Sequence, residues 1–262
     1  MRRAIGFRAA YERDVAAGLR GRPQHAELVT EADLAGLPPV VQRYLHFAGS
    51  VGKPRVWNYR LRFRGGLRND ADSRWMKMIA DQQSFVEPAA RLFLVKASLF
   101  GLPFEAFHRY VGPAATFKVR LASLLTVVDA AGPEMNQSET VTLLNDMCLL
   151  APATLIDPHI TWEELDPQTV RATFGNAGNT VSAILSFDDS GALVDFVSDD
   201  RYRTADGKTY ERLRWSTPVR AWRDFDGRRL PAEAEALWQD GDQAYAYARF
   251  EILGADYNVV AG

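Results

Sequence analysis

Cysteine is almost absent from this sequence, and long hydrophobic runs are missing altogether. The one cysteine among 262 residues, Cys148, excludes an intramolecular disulfide framework and any zinc site built from several thiolates. No stretch approaches the ~18 uninterrupted apolar residues of a membrane-spanning helix, so the sequence predicts no integral membrane segment. Charged residues between Arg8 and Asp14 interrupt the amino-terminal region, which is not typical of a secretion signal. These features predict a cytoplasmic protein.

An excess of charge of one sign is also missing. Lys and Arg number 31 against 33 Asp and Glu, so the formal net charge is -2, and bulk attraction to nucleic acid is not expected. The chain contains no GxSxG, Walker A or GxGxxG motif, and its four histidines form no closely spaced pair. We therefore predict neither a cofactor nor a metal. A hydrophobic content of 47% with 24% charged residues is typical of a folded protein with a sizeable core.

The period of the hydrophobic pattern changes near residue 55. Before it, helical spacing predicts one helix ending near residues 18–21, a second capped by Thr30, and a third over 40–47 ended by Gly49. From Arg55 onward, alternation of apolar and polar residues predicts a strand. Further strands are predicted at 74–87, 91–100, 104–111, 116–128, 161–165, 169–174, 180–187, 192–204, 208–214, 219–225, 233–238 and 245–253.

Residues 135–157 interrupt the strands, and their spacing predicts one helix or two. About a dozen strands with helices only at the start and in the middle are typical of an α+β fold rather than an α/β fold. Short links with Asp-Gly and Ser-Gly turns favour antiparallel neighbours. We predict a large curved antiparallel sheet, a half-barrel, wrapped around the central helix. Residues 1–50 would form an amino-terminal helical segment and residues 51–262 a single domain.

Several motifs resemble those of a bacterial family of unknown function. They are NDMCLLAPATLID at 145–157, SDDRY at 198–202, WSTPV at 215–219, LPPVVQRYL at 37–45 and GRRLPAEAEALW at 227–238. The resemblance covers most of the chain from about Leu37 and implies no established activity. It also implies an architecture similar to that of the lipoprotein carriers, in which a curved half-barrel wraps helices and encloses an apolar cavity.

Polar residues bracket the apolar part of the central helical region. Asn145, Asp146 and Asp157 flank a run that is otherwise rich in leucine. In one interpretation Asp146 and Asn145 face a cavity, where a carboxylate with a pKa raised by burial acts as a general base or binds a ligand hydroxyl. In the other interpretation both residues cap helices. Asp157 is a second candidate for proton transfer.

Two further candidates lie on predicted strands. Arg201 and Asp199 would share one face, and if that face lines a cavity Arg201 can hold a carboxylate or phosphate head group. If the face is exposed, the two form a minor surface ion pair. His108 shares a strand face with Tyr110, which places an imidazole beside a phenol in either a structural or a catalytic role.

Bulky and deformable side chains concentrate near Trp75, Met76 and Met78, a composition suited to an irregular apolar ligand. Trp162 and Trp215 are candidate ligand-binding residues, and Asn145 and Asp146 are expected to contact the cavity together with Trp162 or Trp215. The predicted function is the binding of a hydrophobic or amphipathic small molecule or lipid-like ligand.

Two other functions remain open from the sequence. One is a cofactor-independent acid/base enzyme, an isomerase, lyase or hydrolase, that uses Asp146, Asp157 or His108 on a small apolar substrate. The other is a protein-interaction scaffold, which requires a large exposed apolar patch. The oligomeric state is left open.

Overall fold

A computed structural model of the protein describes residues 6–20, 27–99, 101–122 and 124–261. Three helices precede the strands: α1 (Phe7–Leu19), α2 (Glu31–Leu34) and α3 (Pro39–Phe47). The backbone N–H of Thr30 donates to the carboxylate of Asp33 at 2.8 Å, which fixes the start of α2. The three predicted helices are thus present, although residue 21, one of the predicted ends of α1, lies outside the described residues.

Fourteen strands are formed by the described residues. In chain order they are β1 (Asn58–Leu67), β2 (Met76–Phe85), β3 (Ala90–Leu99), β4 (Leu102–Val111), β5 (Ala114–Leu121), β6 (Leu125–Ala131), β7 (Ile160–Asp166), β8 (Thr169–Asn176), β9 (Asn179–Phe187), β10 (Leu193–Arg203), β11 (Glu211–Ser216), β12 (Val219–Phe225), β13 (Arg228–Asp240) and β14 (Gln243–Tyr257). Between β6 and β7 lie α4 (Pro133–Leu149) and a 3-10 helix (Pro152–Ile156).

All the strands belong to one antiparallel sheet. Its order is β6-β5-β4-β3-β2-β1-β14-β13-β11-β10-β9-β8-β7, and β12 pairs with β13 beside this path. The single strand predicted over 116–128 is wrong, because the chain reverses after Leu121 and returns as β6. Ala122 adopts a positive φ of 49° in this reversal, and no glycine or proline marks the turn in the sequence.

The sheet curls around α4, which confirms the predicted α+β half-barrel. Helix α4 contacts β5 and β6 near one edge of the sheet and β9 and β10 towards the other. Nearly every residue from Met135 to Leu149 is buried, so the helix lies inside the curve of the sheet. We call the face of the sheet that contacts α4 the inner face.

The outer face of the sheet carries a second, smaller core. Phe93 and Val95 of β3 belong to the inner core, whereas Leu92 and Leu94 pack with Phe7 of α1 on the outer face. Successive side chains of a strand point to opposite faces, so β3 is buried on both sides. Helix α1 therefore stabilises the sheet from outside and lies apart from α4.

Helix α3 is joined to the end of α4. The hydroxyl of Tyr44 donates to the carbonyl oxygen of Cys148 at 2.6 Å, and both side chains are fully buried. Burial also raises the pKa of the Cys148 thiol, which agrees with a packing role for this residue. Among the described residues, no helix is long and apolar enough to cross a membrane. The cytoplasmic location stays a prediction.

Candidate functional site

A cavity of about 980 Å³ lies between α4 and the inner face of the sheet. Its lining includes the loop residues Asn69 and Thr204, which follow β1 and β10. Most of its lining is apolar or aromatic: Phe63, Phe93, Val95, Ala97, Phe104, Ala106, Phe117, Val119, Leu149, Leu150, Trp215, Ala236, Trp238, Ala248, Phe250 and Ile252.

One part of the lining is a buried group of polar side chains, which we call the charged network: Gln82, Arg91, His108, Glu139 and Asp146. Arg91 is its centre, with Nε 2.6 Å from Oδ2 of Asp146 and Nη1 3.2 Å from Oε2 of Glu139. Gln82 Nε2 donates to the same Asp146 oxygen at 2.7 Å. Each charge is thus hydrogen-bonded, as buried ions require.

Helix α4 supplies the acidic half of this network from one face. Glu139, Thr142, Asn145, Asp146 and Leu149 all line the cavity, and their spacing of three and four residues places them on one side of a helix. Asn145 Nδ2 donates to Thr217 Oγ1 at 2.6 Å. The face of α4 that contacts the cavity is therefore mainly polar, although the cavity itself is mainly apolar.

The two carboxyl groups of the network are held in different electrostatic environments. Burial raises the pKa of Asp146 and outweighs the opposing effects of Arg91 and Gln82. Burial would also raise the pKa of Glu139, but His108, Arg91 and Arg201 together outweigh it and lower that pKa to about 2. The carboxylate of Glu139 is therefore ionised over the whole physiological range.

His108 contacts Glu139 in the lining of the cavity. Its Nδ1 lies 2.9 Å from Oε1 of Glu139, and its ring stacks on Phe117 with centroids 4.1 Å apart. Burial lowers the pKa of His108 and outweighs the raising effect of Glu139, while Arg91 and Arg201 lower it further. A neutral imidazole that donates from Nδ1 to a carboxylate keeps a lone pair on Nε2. This arrangement can accept a proton from a bound molecule.

Arg201 enters the cavity from β10 and is 8% exposed. Its Nη1 donates to the hydroxyl of Tyr247 at 2.9 Å, and the same hydroxyl accepts from Trp215 Nε1 at 3.1 Å. The guanidinium carbon lies 4.2 Å from the centroid of the Trp215 ring, a cation–π contact. Among the described residues, Nε of Arg201 has no hydrogen-bond partner.

The structure brings six of the predicted site residues to the cavity. They are Met76, His108, Asn145, Asp146, Arg201 and Trp215. Asn145 and Asp146 are 5% exposed and lie within α4 rather than at its ends, so the interpretation as helix caps is wrong. What these residues do stays a prediction.

Five predicted site residues do not line the cavity. Asp157 follows the 3-10 helix and accepts a hydrogen bond from the backbone N–H of His159 at 2.8 Å. Trp75 is contacted by the guanidinium groups of Arg68 and Arg249, 4.7 and 4.4 Å from its ring. Asp157 thus belongs to a local turn, and Trp75 makes cation–π contacts with two arginines.

The other three lie in the inner core or pack against it. Met78 is 4% exposed within the inner core. Tyr110 is fully buried, and its hydroxyl bonds to Thr140 and Asn176 at 2.8 Å each. Trp162 packs against the same core from β7. All three therefore support the fold beside the cavity and do not line it.

The expected pairing of Asp199 with Arg201 is also wrong. Asp199 instead accepts hydrogen bonds from Arg214 at 2.8 and 3.1 Å on the exposed surface. The pairing of β10 with β11 shifts register between Ser198 and Arg201, and such a bulge breaks the strict alternation of side chains. Arg201 consequently turns inward without the carboxylate that the sequence suggested for it.

Sequence reasoning missed Gln82, Arg91, Glu139 and Tyr247 as site residues. A signal existed for Arg91, since it lies two and four residues before Phe93 and Val95 and thus shares their strand face. Glu139 likewise shares a helical face with Asn145 and Asp146. A charged residue at an inward position requires a partner, but the sequence does not say which one.

These features define the class of protein: an α+β protein whose curved antiparallel sheet and inner helix enclose an apolar cavity with a buried charged network. The chain belongs to DUF6544, a family of unknown function, whose family model matches residues 27–250. The family of unknown function expected from the sequence motifs is thereby confirmed. No curated protein of known function matches the chain.

Three solved structures are similar to this chain at low sequence identity. A DUF1329 family protein from Desulfovibrio piger is 9% identical with a TM-score of 0.47, over 90% of this chain and 96% of that one. A putative outer membrane lipoprotein-sorting protein domain from Vibrio parahaemolyticus is 11% identical with a TM-score of 0.41, over 78% and 87%. A LolA superfamily protein from Nitrosomonas europaea is 9% identical with a TM-score of 0.44, over 84% and 94%. The function proposed below rests on the cavity of this chain alone.

Proposed function

We propose that this protein binds a hydrophobic or amphipathic small molecule in the cavity between α4 and the inner face of the sheet. The observation that carries the proposal is the cavity itself, with about 980 Å³ and mainly apolar walls. Sites for small molecules are typically clefts or cavities of roughly 300–1,000 Å³ with few polar groups. Burial of apolar ligand surface contributes roughly 25 cal/mol per Å², so such a cavity favours an apolar ligand.

The alternative that this space is merely loose packing is less consistent with the rest of the molecule. Protein interiors are close-packed and contain few voids larger than a water molecule. The core that contains α4 excludes solvent elsewhere, since Leu61, Leu144 and Phe196 are fully buried. Open volume beside a well-packed core, with buried polar groups on one wall, is typical of a binding site.

A cavity-filling substitution tests the proposal. Ala106 of β4 lines the cavity, so Ala106→Trp should occupy part of the volume and weaken binding of the neutral apolar dye Nile red at least tenfold. Ala221→Trp adds the same side chain at an exposed position of β12 and should leave dye binding unchanged. Native mass spectrometry of the purified protein should also detect a co-purifying apolar molecule. Equal dye binding by both variants and the unmodified protein contradicts binding in this cavity.

The contact between His108 and Glu139 favours a second candidate, a cofactor-independent acid/base enzyme acting in the same cavity. An imidazole oriented by a carboxylate is the arrangement used by general bases in many enzymes. In this case His108→Gln should reduce turnover roughly 10²- to 10⁴-fold while the variant still binds Nile red. Mass spectrometry of a bound molecule before and after incubation with the protein distinguishes the two functions, since a binding protein returns it chemically unchanged.

A further inference from the structure

Arg201 is a buried cation without a carboxylate partner among the described residues. Arg91, the other buried arginine in the described lining of the cavity, contacts two carboxylates within 3.2 Å. Arg201 is similarly buried, yet its side chain donates to the neutral hydroxyl of Tyr247. The acidic residues next to it in sequence are used elsewhere, since Asp199 pairs with Arg214 and Asp200 with Arg212. The charge of Glu139 acts on Arg201, but no hydrogen bond or ion pair joins these two side chains. A guanidinium removed from water without a directly bonded counterion is costly, and this guanidinium lines the ligand cavity.

Aromatic side chains fix the orientation of this guanidinium. Its carbon lies 4.2 Å from the Trp215 ring and 5.3 Å from the Trp238 ring. Trp238 in turn stacks on Tyr247, with ring centroids 5.6 Å apart. Because Tyr247 also accepts from Trp215 Nε1, the four side chains form one connected group. Arg201 is therefore held in a defined position before any ligand arrives, which is the condition for specific recognition.

We propose that Arg201 binds the carboxylate head group of an amphipathic ligand whose apolar part fills the cavity; this inference rests on the proposed function. Tyr247 occupies Nη1, and Nε has no partner among the described residues. On the edge of the guanidinium that carries Nε and Nη2, the buried Nε thus lacks an acceptor that a ligand oxygen would supply. Two parallel N–H groups on this edge match the two oxygens of a carboxylate.

The apolar walls beside Arg201 give the remainder of the ligand its place. Trp215, Phe250 and Phe93 line the same cavity as Arg201, and Phe93 and Phe250 contact each other through their rings. An alkyl chain can therefore extend from a carboxylate bound to Arg201 and remain in contact with apolar side chains. A carboxylate with a long alkyl chain combines both requirements in one molecule.

The test compares two probes with the same chain length and different charge. Displacement of Nile red from the full-length protein is measured with dodecanoate and with dodecanol. We expect dodecanoate to displace the dye at concentrations at least tenfold lower than dodecanol. Arg201→Met should abolish this preference, while Arg214→Gln, which changes net charge equally at an exposed position of β11, should retain it. Dodecyl phosphate serves as a third probe.

Each outcome decides a different claim. Equal displacement by dodecanoate and dodecanol overturns the role of Arg201 but leaves the apolar cavity as the binding site. Failure of the dye and of both probes to bind overturns the proposed function as well. Stronger binding of dodecyl phosphate than of dodecanoate overturns the assignment of the head group as a carboxylate. The comparison on the unmodified protein holds even if Arg201→Met fails to fold, and Arg201→Lys, which keeps the charge without the paired N–H groups, should retain only part of the preference.

Discussion

Nδ1 of His108 lies 2.9 Å from Oε1 of Glu139, and this contact joins the sheet to the inner helix inside the cavity. His108 comes from β4 and Glu139 from α4, 31 residues apart in the chain. Glu139 is fully buried, and it also contacts Arg91. The protonation state of the imidazole is consequently linked to the packing of α4 against the sheet.

Glu139→Gln should lower the pKa of His108. The carboxylate of Glu139 raises that pKa through its charge and its hydrogen bond, against the larger lowering effect of burial. An amide keeps the size of the side chain and removes its charge, so the imidazolium loses its stabilising partner. NMR titration of the His108 ring resonances measures the change, with His46 and His159, which lie outside the cavity, as internal references. An unchanged or higher pKa in the variant contradicts the contact.

Stability should decrease as the pH falls below about 6.5, and His108 should account for part of the decrease. The pKa of His108 in the folded protein lies below its ordinary value of 6.5, so the unfolded chain takes up the proton first. The free energy of unfolding therefore decreases as the pH decreases in this range. Urea unfolding between pH 5 and 7 should show a smaller slope for His108→Gln than for the unmodified protein.

This comparison separates His108 from the carboxyl groups of the charged network. The pKa of Glu139 is lowered to about 2, so its stabilising contribution is complete above the unfolded pKa, near 4.5, and is lost only at lower pH. The raised pKa of Asp146 acts in the opposite sense to His108. Both carboxyl groups are present in the two proteins, and an identical slope for the two would refute the role of His108.

Asp146→Asn should destabilise the protein by about 2 kcal/mol. Arg91 would lose the closer of its two carboxylate partners, at 2.6 Å, but would keep Glu139. The matched control is Asp199→Asn, because the ion pair of Asp199 with Arg214 is exposed and contributes little. Chemical denaturation measures both. If the cavity is catalytic and Asp146 is the base, turnover falls as well; a binding protein should keep its dye affinity within about tenfold.

The general architecture could be predicted from the sequence because it depends on local periodicity. Alternation in β1 and helical spacing in residues 135–157 were sufficient for a curved sheet around a helix. Asn145 and Asp146 were recognisable because polar side chains stand out in an apolar run. The reversal at Ala122 was not, since its sequence carries no glycine or proline.

The partners within the charged network could not be predicted in the same way. Arg91 meets Asp146 across 55 positions of the chain, and only the curvature of the sheet determines that these two side chains face each other. The bulge in β10 could not be predicted from the sequence either. It turns Arg201 inward because it breaks the alternation on which the predicted pairing with Asp199 depended. Periodicity determines which face a residue occupies, whereas contacts across a cavity depend on tertiary geometry.

Phe7→Ala should destabilise the protein by about 3 kcal/mol without affecting the cavity. Phe7 is 4% exposed and packs with Tyr11, Leu92 and Phe107 on the outer face of the sheet. The inner core does not include these residues, so removal of the ring should leave the cavity unchanged. Chemical denaturation gives the loss of stability, and Nile red titration of the folded variant should give the affinity of the unmodified protein. A weaker affinity would show that α1 influences the cavity through the sheet.

Binding of an anionic amphiphile should be accompanied by uptake of a proton at His108. The charged groups that act on its imidazole are Glu139, which raises its pKa, and Arg91 and Arg201, which lower it. A negative head group on Arg201 offsets one of the lowering charges, so the pKa of His108 becomes higher in the complex than in the free protein. Affinity must then rise as the pH falls from the His108 pKa of the complex towards the His108 pKa of the free protein.

Dodecanesulfonate is the suitable probe for this prediction because it does not itself titrate between pH 5 and 8. Isothermal titration calorimetry in two buffers of different protonation enthalpy measures the proton uptake, which should disappear in His108→Gln. Proton release, or an affinity independent of pH, would mean that the head group binds away from Arg201 and His108.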